Sequence, residues 1–182
     1  MIPSLATARL ELKPFSESDT EALHRLWTQQ GVRDFLWDDQ IIARDRALAT
    51  VHEAVSDSKR SGIGMWTLWF AGDPELAGFC GFRWVGGIAP EIELLYGLRH
   101  DLWGQGLVTE AVSAALTWVF NSKEPVRVLA GTDTGNIRSM NVLERLGFKP
   151  MREKVSVSPK VRYFALTRET WRLRRMDFET VT

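Results

Sequence analysis

The sequence predicts an α+β chain, a mixed sheet flanked by helices, on three observations. Strand-like and helix-like patterns follow one another in the order βααβββαβαβ with a final helix. Two strand patterns, EIELLYGL (91–98) and VRVLAG (126–131), are joined through a helical stretch, a crossover that favours a parallel pair within a mixed sheet. The length, 182 residues, suits one domain, so residues 1–182 are expected to form a single unit.

Each element has a local reason. In ARLELKPF, Leu10 and Leu12 alternate with polar neighbours, and Pro14 closes the strand. SESDTEALHRLWTQQG supplies a cap, an apolar stripe through Leu23, Leu26 and Trp27, and a stop at Gly31. A second helix is expected from about Arg44 to Arg60. GMWTLWFAG reads as a strand, and Gly72-Asp73-Pro74 turns it into LAGFCGFRWV. After EIELLYGL, the residues Val112, Ala115, Leu116, Val119 and Phe120 fall at helical spacing. PVRVLAGTD is the next strand. In NIRSMNVLERLGF, Asn136 is placed to cap a short helix, Gly147 fits the left-handed position that ends it, and Phe148 should fold back on Leu143. The strand VRYFAL and the helical TRETWRLRRM complete the order.

Composition narrows the function classes. The chain is 45% hydrophobic and 25% charged with zero formal net charge, so it buries a core and no global field points to nucleic acid. Nine basic residues against Glu153 and Glu169 fall between Lys149 and Arg175, whereas the first sixty residues are rich in carboxylates. Two readings stand: solvated faces, or an acidic half attracting amines and a basic half attracting phosphates. Cys80 is the only cysteine, which allows no internal disulfide, and its apolar surroundings suit a buried, inert thiol. MIPSLATARLEL lacks the pattern of a signal peptide, and no apolar run reaches the ~18 residues of a membrane helix. A cytoplasmic protein with no membrane partner is expected. His24 and His52 have no ligand spacing, and no HExxH or GxSxG is present, so no metal is implied. The chain's many aromatics leave room for a homodimer.

The stretch DLWGQGLVTEAV (101–112) carries the chemistry. Gly104 and Gly106 stand where a strand gives way to a helix, and a helix N-terminus offers unpaired N–H groups and partial positive charge. The amides of Gln105, Gly106, Leu107, Val108 and Thr109 form a candidate anion nest; a plain tight turn is the alternative. A phosphate loop of the form GxxxxGK[ST] is absent. A dinucleotide fingerprint is broken, because Thr109 holds the third glycine position and residues 99–103 separate the strand from Gly104. Asp133, where a ribose-binding acid would fall, keeps a nicotinamide-dependent oxidoreductase as a rival reading.

LWGQGLVTEAV after EIELLYGL resembles the acetyl-CoA motif of the GNAT N-acetyltransferase superfamily, R/Q-x-x-G-x-G/A. TARLELKPFSESD resembles the opening of one branch, the ribosomal-protein N-terminal (alanine/serine) acetyltransferase-like group. NIRSMNVLERLGF is similar to that group's N-x-x-S-x-x-V-L-E-K-L-G-F helix, and YFALTRETW to its closing strand and helix. These matches run in order from about Thr7 to Met176. The resemblance implies a GNAT-like fold, a central twisted, mostly antiparallel sheet with one splayed parallel pair. It also implies acetyl-CoA as donor, with its pyrophosphate on the residues from Gly104 to Thr109. One position departs: Asp101 stands where the motif has Arg or Gln. Arg99 and Arg138 are the candidates for a replacement cation.

Acetylating an amine requires that the amine be neutral, against a pKa near ~10.4 for lysine or ~8 for an α-amine. It also requires polarisation of the thioester carbonyl. Glu91 and Glu93 lie at strand period on one face of EIELLYGL, and a carboxylate shielded by Ile92, Leu94 and Trp84 would be shifted toward a working base; solvated surface charge is the other reading. The resemblance favours Glu93, acting directly or through water. It further implies a backbone N–H near Leu95 or Tyr96 for the carbonyl, Asn136 on the pantetheine arm, and Ser139 as donor to the departing sulfur. The tyrosine many members use for that last role is replaced by Leu143, and Tyr163 is a further phenol. Trp37, set among Asp34, Asp38 and Asp39, suits a cationic amine, a helix-flanking tryptophan packed inward being the other reading, and Trp84 is a second candidate for substrate binding. The expectation is direct transfer from acetyl-CoA to a primary amine, on a protein N-terminus or a small molecule, in a ternary complex. A non-catalytic acyl-CoA-binding module is the other rival.

Overall fold

The computed structural model describes residues 2–85, 91–151 and 160–179, with 175–179 as backbone only. The strands are β1 (Leu5–Ala6), β2 (Leu10–Pro14), β3 (Met65–Phe70), β4 (Leu76–Val85), β5 (Glu91–Leu98), β6 (Arg127–Asp133), β7 (Lys149–Pro150) and β8 (Val161–Thr167). The helices are α1 (Thr20–Trp27), α2 (Arg44–Ser61), α3 (Leu107–Ser122), α4 (Ile137–Leu146) and α5 (Arg168–Glu179). The strands hydrogen-bond in the order β1-β2-β3-β4-β5-β6-β8-β7. β5 and β6 pair in parallel, while β1–β2, β2–β3, β3–β4, β6–β8 and β7–β8 pair antiparallel. A mixed sheet with one parallel pair is therefore what the sequence pattern led one to expect. β1 and β7 add two short strands to it.

The chain folds as two compact units, one of residues Met1–Arg83 with Leu95–Leu116, the other of Trp84–Leu94 with Thr117–Thr182. In the first, β2 alternates as its sequence does: Leu10 and Leu12 are buried while Lys13 points outward. Ser16 and Asp19 form a capping box at the turn leading into α1. The α1 stripe of Leu23, Leu26 and Trp27 packs with Ala47 and Val51 of α2 and with Met65 and Phe79 of the sheet. A buried leucine of this kind contributes about 1.5–3 kcal/mol, and truncating Leu23 to alanine would cost roughly 2–5 kcal/mol. α2 ends at Ser61, one residue beyond the expected Arg60, and Gly62 caps it at φ +67°.

In the second unit, β6 pairs with β8 along its length, from Arg127↔Thr167 to Asp133↔Val161. Phe120, near the end of α3, stacks on Trp171 of α5 at 6.2 Å. The Asn136 side chain accepts from the Ser139 N–H and caps α4. Gly147, at φ +95°, ends the helix, and the Phe148 N–H closes back on the Leu143 carbonyl at 3.0 Å. The cap and stop read from NIRSMNVLERLGF are both in place. Phe148 and Leu143 are both buried.

Among the described residues, no helix is long and apolar enough to cross a membrane.

Candidate active site

The glycine loop belongs to the first unit. Gly104 and Gly106 take φ +79° and +76°, a left-handed backbone that glycine adopts without strain. The Glu110 N–H donates to the Gly106 carbonyl at 3.0 Å, which begins the α3 ladder. The amides of Leu107, Val108 and Thr109 precede that first bond, as the opening N–H groups of any helix do. A Cβ on Gly104 would meet nothing within 4 Å, so the approach to the loop is open there. Asp101 is turned away from any anion-binding duty by Arg99, whose Nε donates to its carboxylate at 2.8 Å. That bond holds the Asp101 carboxyl below its usual range. Arg99 also pairs with Glu75 at 2.5 Å, so its charge is answered twice over.

The cation at the loop is one the sequence pattern did not single out. Arg9, from the turn between β1 and β2, donates through Nη1 to the Gln105 carbonyl at 3.0 Å. Its Nε and Nη2 lie 2.7 and 2.6 Å from Glu110 Oε2. Glu110 Oε1 accepts from the Arg9 N–H at 2.9 Å and from the Thr7 hydroxyl at 2.5 Å. The pair is separated by about a hundred residues, which is why spacing could not reveal it; the only local trace is the TARL tetrapeptide.

Glu91, Glu93, Gly131 and Tyr163 belong to the second unit. Glu91 is paired with Arg127 Nε at 2.5 Å. Glu93 is buried, 3% exposed, and lies opposite Leu129 in the parallel register. Gly131 is two residues beyond Leu129 and directly opposite Tyr163, so all four residues share one face of the sheet. A Cβ on Gly131 would sit 3.1 Å from two Tyr163 ring carbons and 3.3 Å from Glu93 Oε1. The missing side chain leaves the space in which carboxylate and phenol ring converge. Among the described residues the β5–β6 register covers Ile92↔Val128 and Glu93↔Leu129. Leu95 and Tyr96 follow in the same strand but belong to the first unit, and Leu95 packs on its core.

The remaining predicted residues divide. Asn136 and Ser139 are brought together, the Asn136 carbonyl oxygen capping α4 through the Ser139 N–H at 3.0 Å. Trp37 stands edge-on to Trp27 at 5.8 Å, with the Arg46 guanidinium 6.0 Å above its ring. Its indole N–H is buried without a hydrogen-bond partner among the described residues. Asp38 and Asp39 beside it hold φ +51° and +60°, and Arg33 fixes Asp39 at 2.8 Å. Trp84 is 45% exposed on β4. Cys80 is fully buried, and burial pushes its thiol up to about 12. Among the described residues no group of His, Cys, Asp and Glu could hold a metal.

Residues 9–149 match the sequence model of the acetyltransferase (GNAT) domain. The chain belongs to the GNAT acetyltransferase family. A relative in Bacillus licheniformis, an uncharacterized N-acetyltransferase named p20, is 25% identical over 151 residues, covering 80% of this chain and 82% of that protein. An acetyltransferase structure from Agrobacterium tumefaciens superposes with a TM-score of 0.80 at 21% identity, covering 91% of this GNAT chain and 95% of its own. RimL, a ribosomal-protein alpha-N-acetyltransferase solved with coenzyme A, gives 0.75 at 20% identity over 91% and 98% of the two chains. The shared fold is that of the GNAT family, whose activity is acyl-CoA-dependent N-acetyl transfer, and the chain is an N-acetyltransferase.

Proposed function

We propose that this GNAT enzyme is a single acetyltransferase domain of the cytoplasm that moves an acetyl group from acetyl-CoA directly to a primary amine. The observation that carries this reading is Glu93, a buried carboxylate on β5 that closes in over Gly131 beside the Tyr163 ring. The glycine loop fits the donor: two left-handed glycines and the first-turn amides of α3 suit a pyrophosphate. Bound there, acetyl-CoA supplies the thioester acyl group. Glu93 takes the proton that the amine loses as its nitrogen forms the amide bond and the carbon–sulfur bond breaks. The amide N–H of Leu95 or Tyr96 polarises the acyl oxygen, and the Ser139 hydroxyl donates toward the leaving sulfur. Asn136 offers its amide to the pantetheine arm, and Trp37 and Trp84 are each candidate contacts for the amine. The protein α-amine is the first acceptor to try, because RimL acts on a ribosomal protein's N-terminus.

Glu91 is the second candidate, since its carboxylate is already paired with Arg127. Steady-state release of free coenzyme A, with N-terminal peptides and small amines as acceptors, tests the assignment. Glu93→Gln should lower kcat by about 10²- to 10⁴-fold, the range of a positioned general base. Glu91→Gln should stay within about threefold of wild type. The reverse order would move the base to Glu91.

A further inference from the structure

Gln105 lies between two glycines, and its peptide bond to Gly106 stands just ahead of α3. The Gly106 carbonyl is fixed as the first acceptor of α3, but the Gln105 carbonyl has no place in that ladder. A glycine at 106 tolerates either sign of φ, so the residue itself does not choose which way this peptide faces. Arg9 does, by donating to the Gln105 carbonyl at 3.0 Å. No cis peptide is present among the described residues, and in a trans peptide the C=O and N–H groups point in opposite directions. With the carbonyl drawn to the guanidinium, the Gly106 N–H faces away from Arg9. Glu110 keeps the guanidinium in place through Nε and Nη2, and Thr7 keeps Glu110 in place.

We propose that Arg9 is a positioning residue, a latch that sets the Gln105–Gly106 peptide so that the Gly106 amide is presented to a phosphate of the donor. This rests on the acetyl-CoA reading above and extends it. The latch answers the departure at Asp101. An acid there replaces the motif's Arg or Gln side chain, and Arg9 restores order to the loop through the backbone. Because Glu110 neutralises its charge, Arg9 acts through the amide it orients.

The test compares two donors, acetyl-CoA and S-acetylpantetheine, which carries the same thioester without the pyrophosphate. Arg9→Met keeps the aliphatic stem and removes the donors. It should raise KM for acetyl-CoA and Kd for coenzyme A by about 10- to 100-fold with kcat near wild type, as expected for loss of one charge-assisted hydrogen bond network. Its kcat/KM for S-acetylpantetheine should equal that of wild type, and Arg9→Lys should recover part of the coenzyme A affinity. Should Arg9→Met fail to fold, Thr7→Val loosens the same brace with the guanidinium intact and should show the same donor-selective change at smaller size. Unchanged coenzyme A affinity in either soluble variant would overturn the latch. So would an equal loss with both donors, which marks general damage. Wild-type protein that binds no coenzyme A would overturn the donor assignment and the latch together.

Discussion

The Glu93 carboxylate and the Tyr163 ring converge on one point above Gly131, 3.3 Å and 3.1 Å from where its Cβ would stand. The three residues come from three strands, and only the registers of β5–β6 and β6–β8 put them on one face. Glycine at 131 is thus a statement about space, because its backbone needs no special φ.

Gly131→Ala follows from those distances. Contacts of 3.1 and 3.3 Å are tighter than a methyl group tolerates, so ring or carboxylate must shift by a few tenths of an ångström. Displacing a base by that much should lower kcat about 10-fold, with KM for acetyl-CoA unchanged. A kcat equal to wild type would show that the space beside Glu93 is not needed for turnover.

Cys80 offers a check on direct transfer. With its thiol buried and pushed up to about 12, almost none of it is thiolate at neutral pH. A disulfide reagent added at pH 8 should leave the folded protein unmodified and fully active, and modification should appear only on adding denaturant. Cys80→Ala should keep kcat while losing about 1 kcal/mol of stability. A folded Cys80→Ala protein without activity would instead require an acyl-cysteine step.

What the sequence made legible was local. The cap at Asn136 and the left-handed stop at Gly147 depend on residues within a dozen positions of one another, and both are present as read. The helix of Val112, Ala115, Leu116, Val119 and Phe120 is likewise buried along its apolar stripe. The two-residue strands β1 and β7 have no period to detect; each exists because a longer neighbour offers it hydrogen bonds. Arg9 and Glu110 escaped for a related reason. Nothing in either neighbourhood says that a turn near the N-terminus will reach the first turn of α3. The motif singled out Glu93 as a candidate, but its relation to Gly131 and Tyr163 needed two strand registers at once.

The brace on Glu110 should show in stability against pH. Burial pushes the Glu110 carboxyl up, but the hydrogen bonds from Thr7 and Arg9 and the Arg9 charge outweigh it and hold it below the ordinary 4.5. A carboxyl depressed by folding stabilises the native state in full above 4.5, and that contribution is lost as pH falls through the folded-state value beneath it. Wild type should therefore exceed Glu110→Gln by about 1 kcal/mol at pH 7, the partial exposure of Arg9 keeping the figure small. Urea titrations at intervals down to pH 3 should show that margin constant at first and then closing on the acid side. A margin that widens with acid would mean the carboxyl is raised by its burial.

Asn136 has two tasks assigned to two different atoms. Its side-chain oxygen caps α4 by accepting from the Ser139 N–H, and the proposed contact to the pantetheine arm falls to its amide nitrogen. Asn136→Ala removes both and should cost about 1 kcal/mol of stability, as the loss of an N-cap usually does, together with donor affinity. Asn136→Asp separates them, because a carboxylate accepts the cap hydrogen bond as well as an amide oxygen but cannot donate. Its melting temperature should match wild type while KM for acetyl-CoA and for S-acetylpantetheine rises together by about 5- to 10-fold, since both donors carry the arm. That joint rise is the opposite of the donor-selective change expected at Arg9, so the two variants assayed side by side locate each contact on the donor. Asn136→Asp with wild-type KM for both donors would leave Asn136 as a helix cap alone.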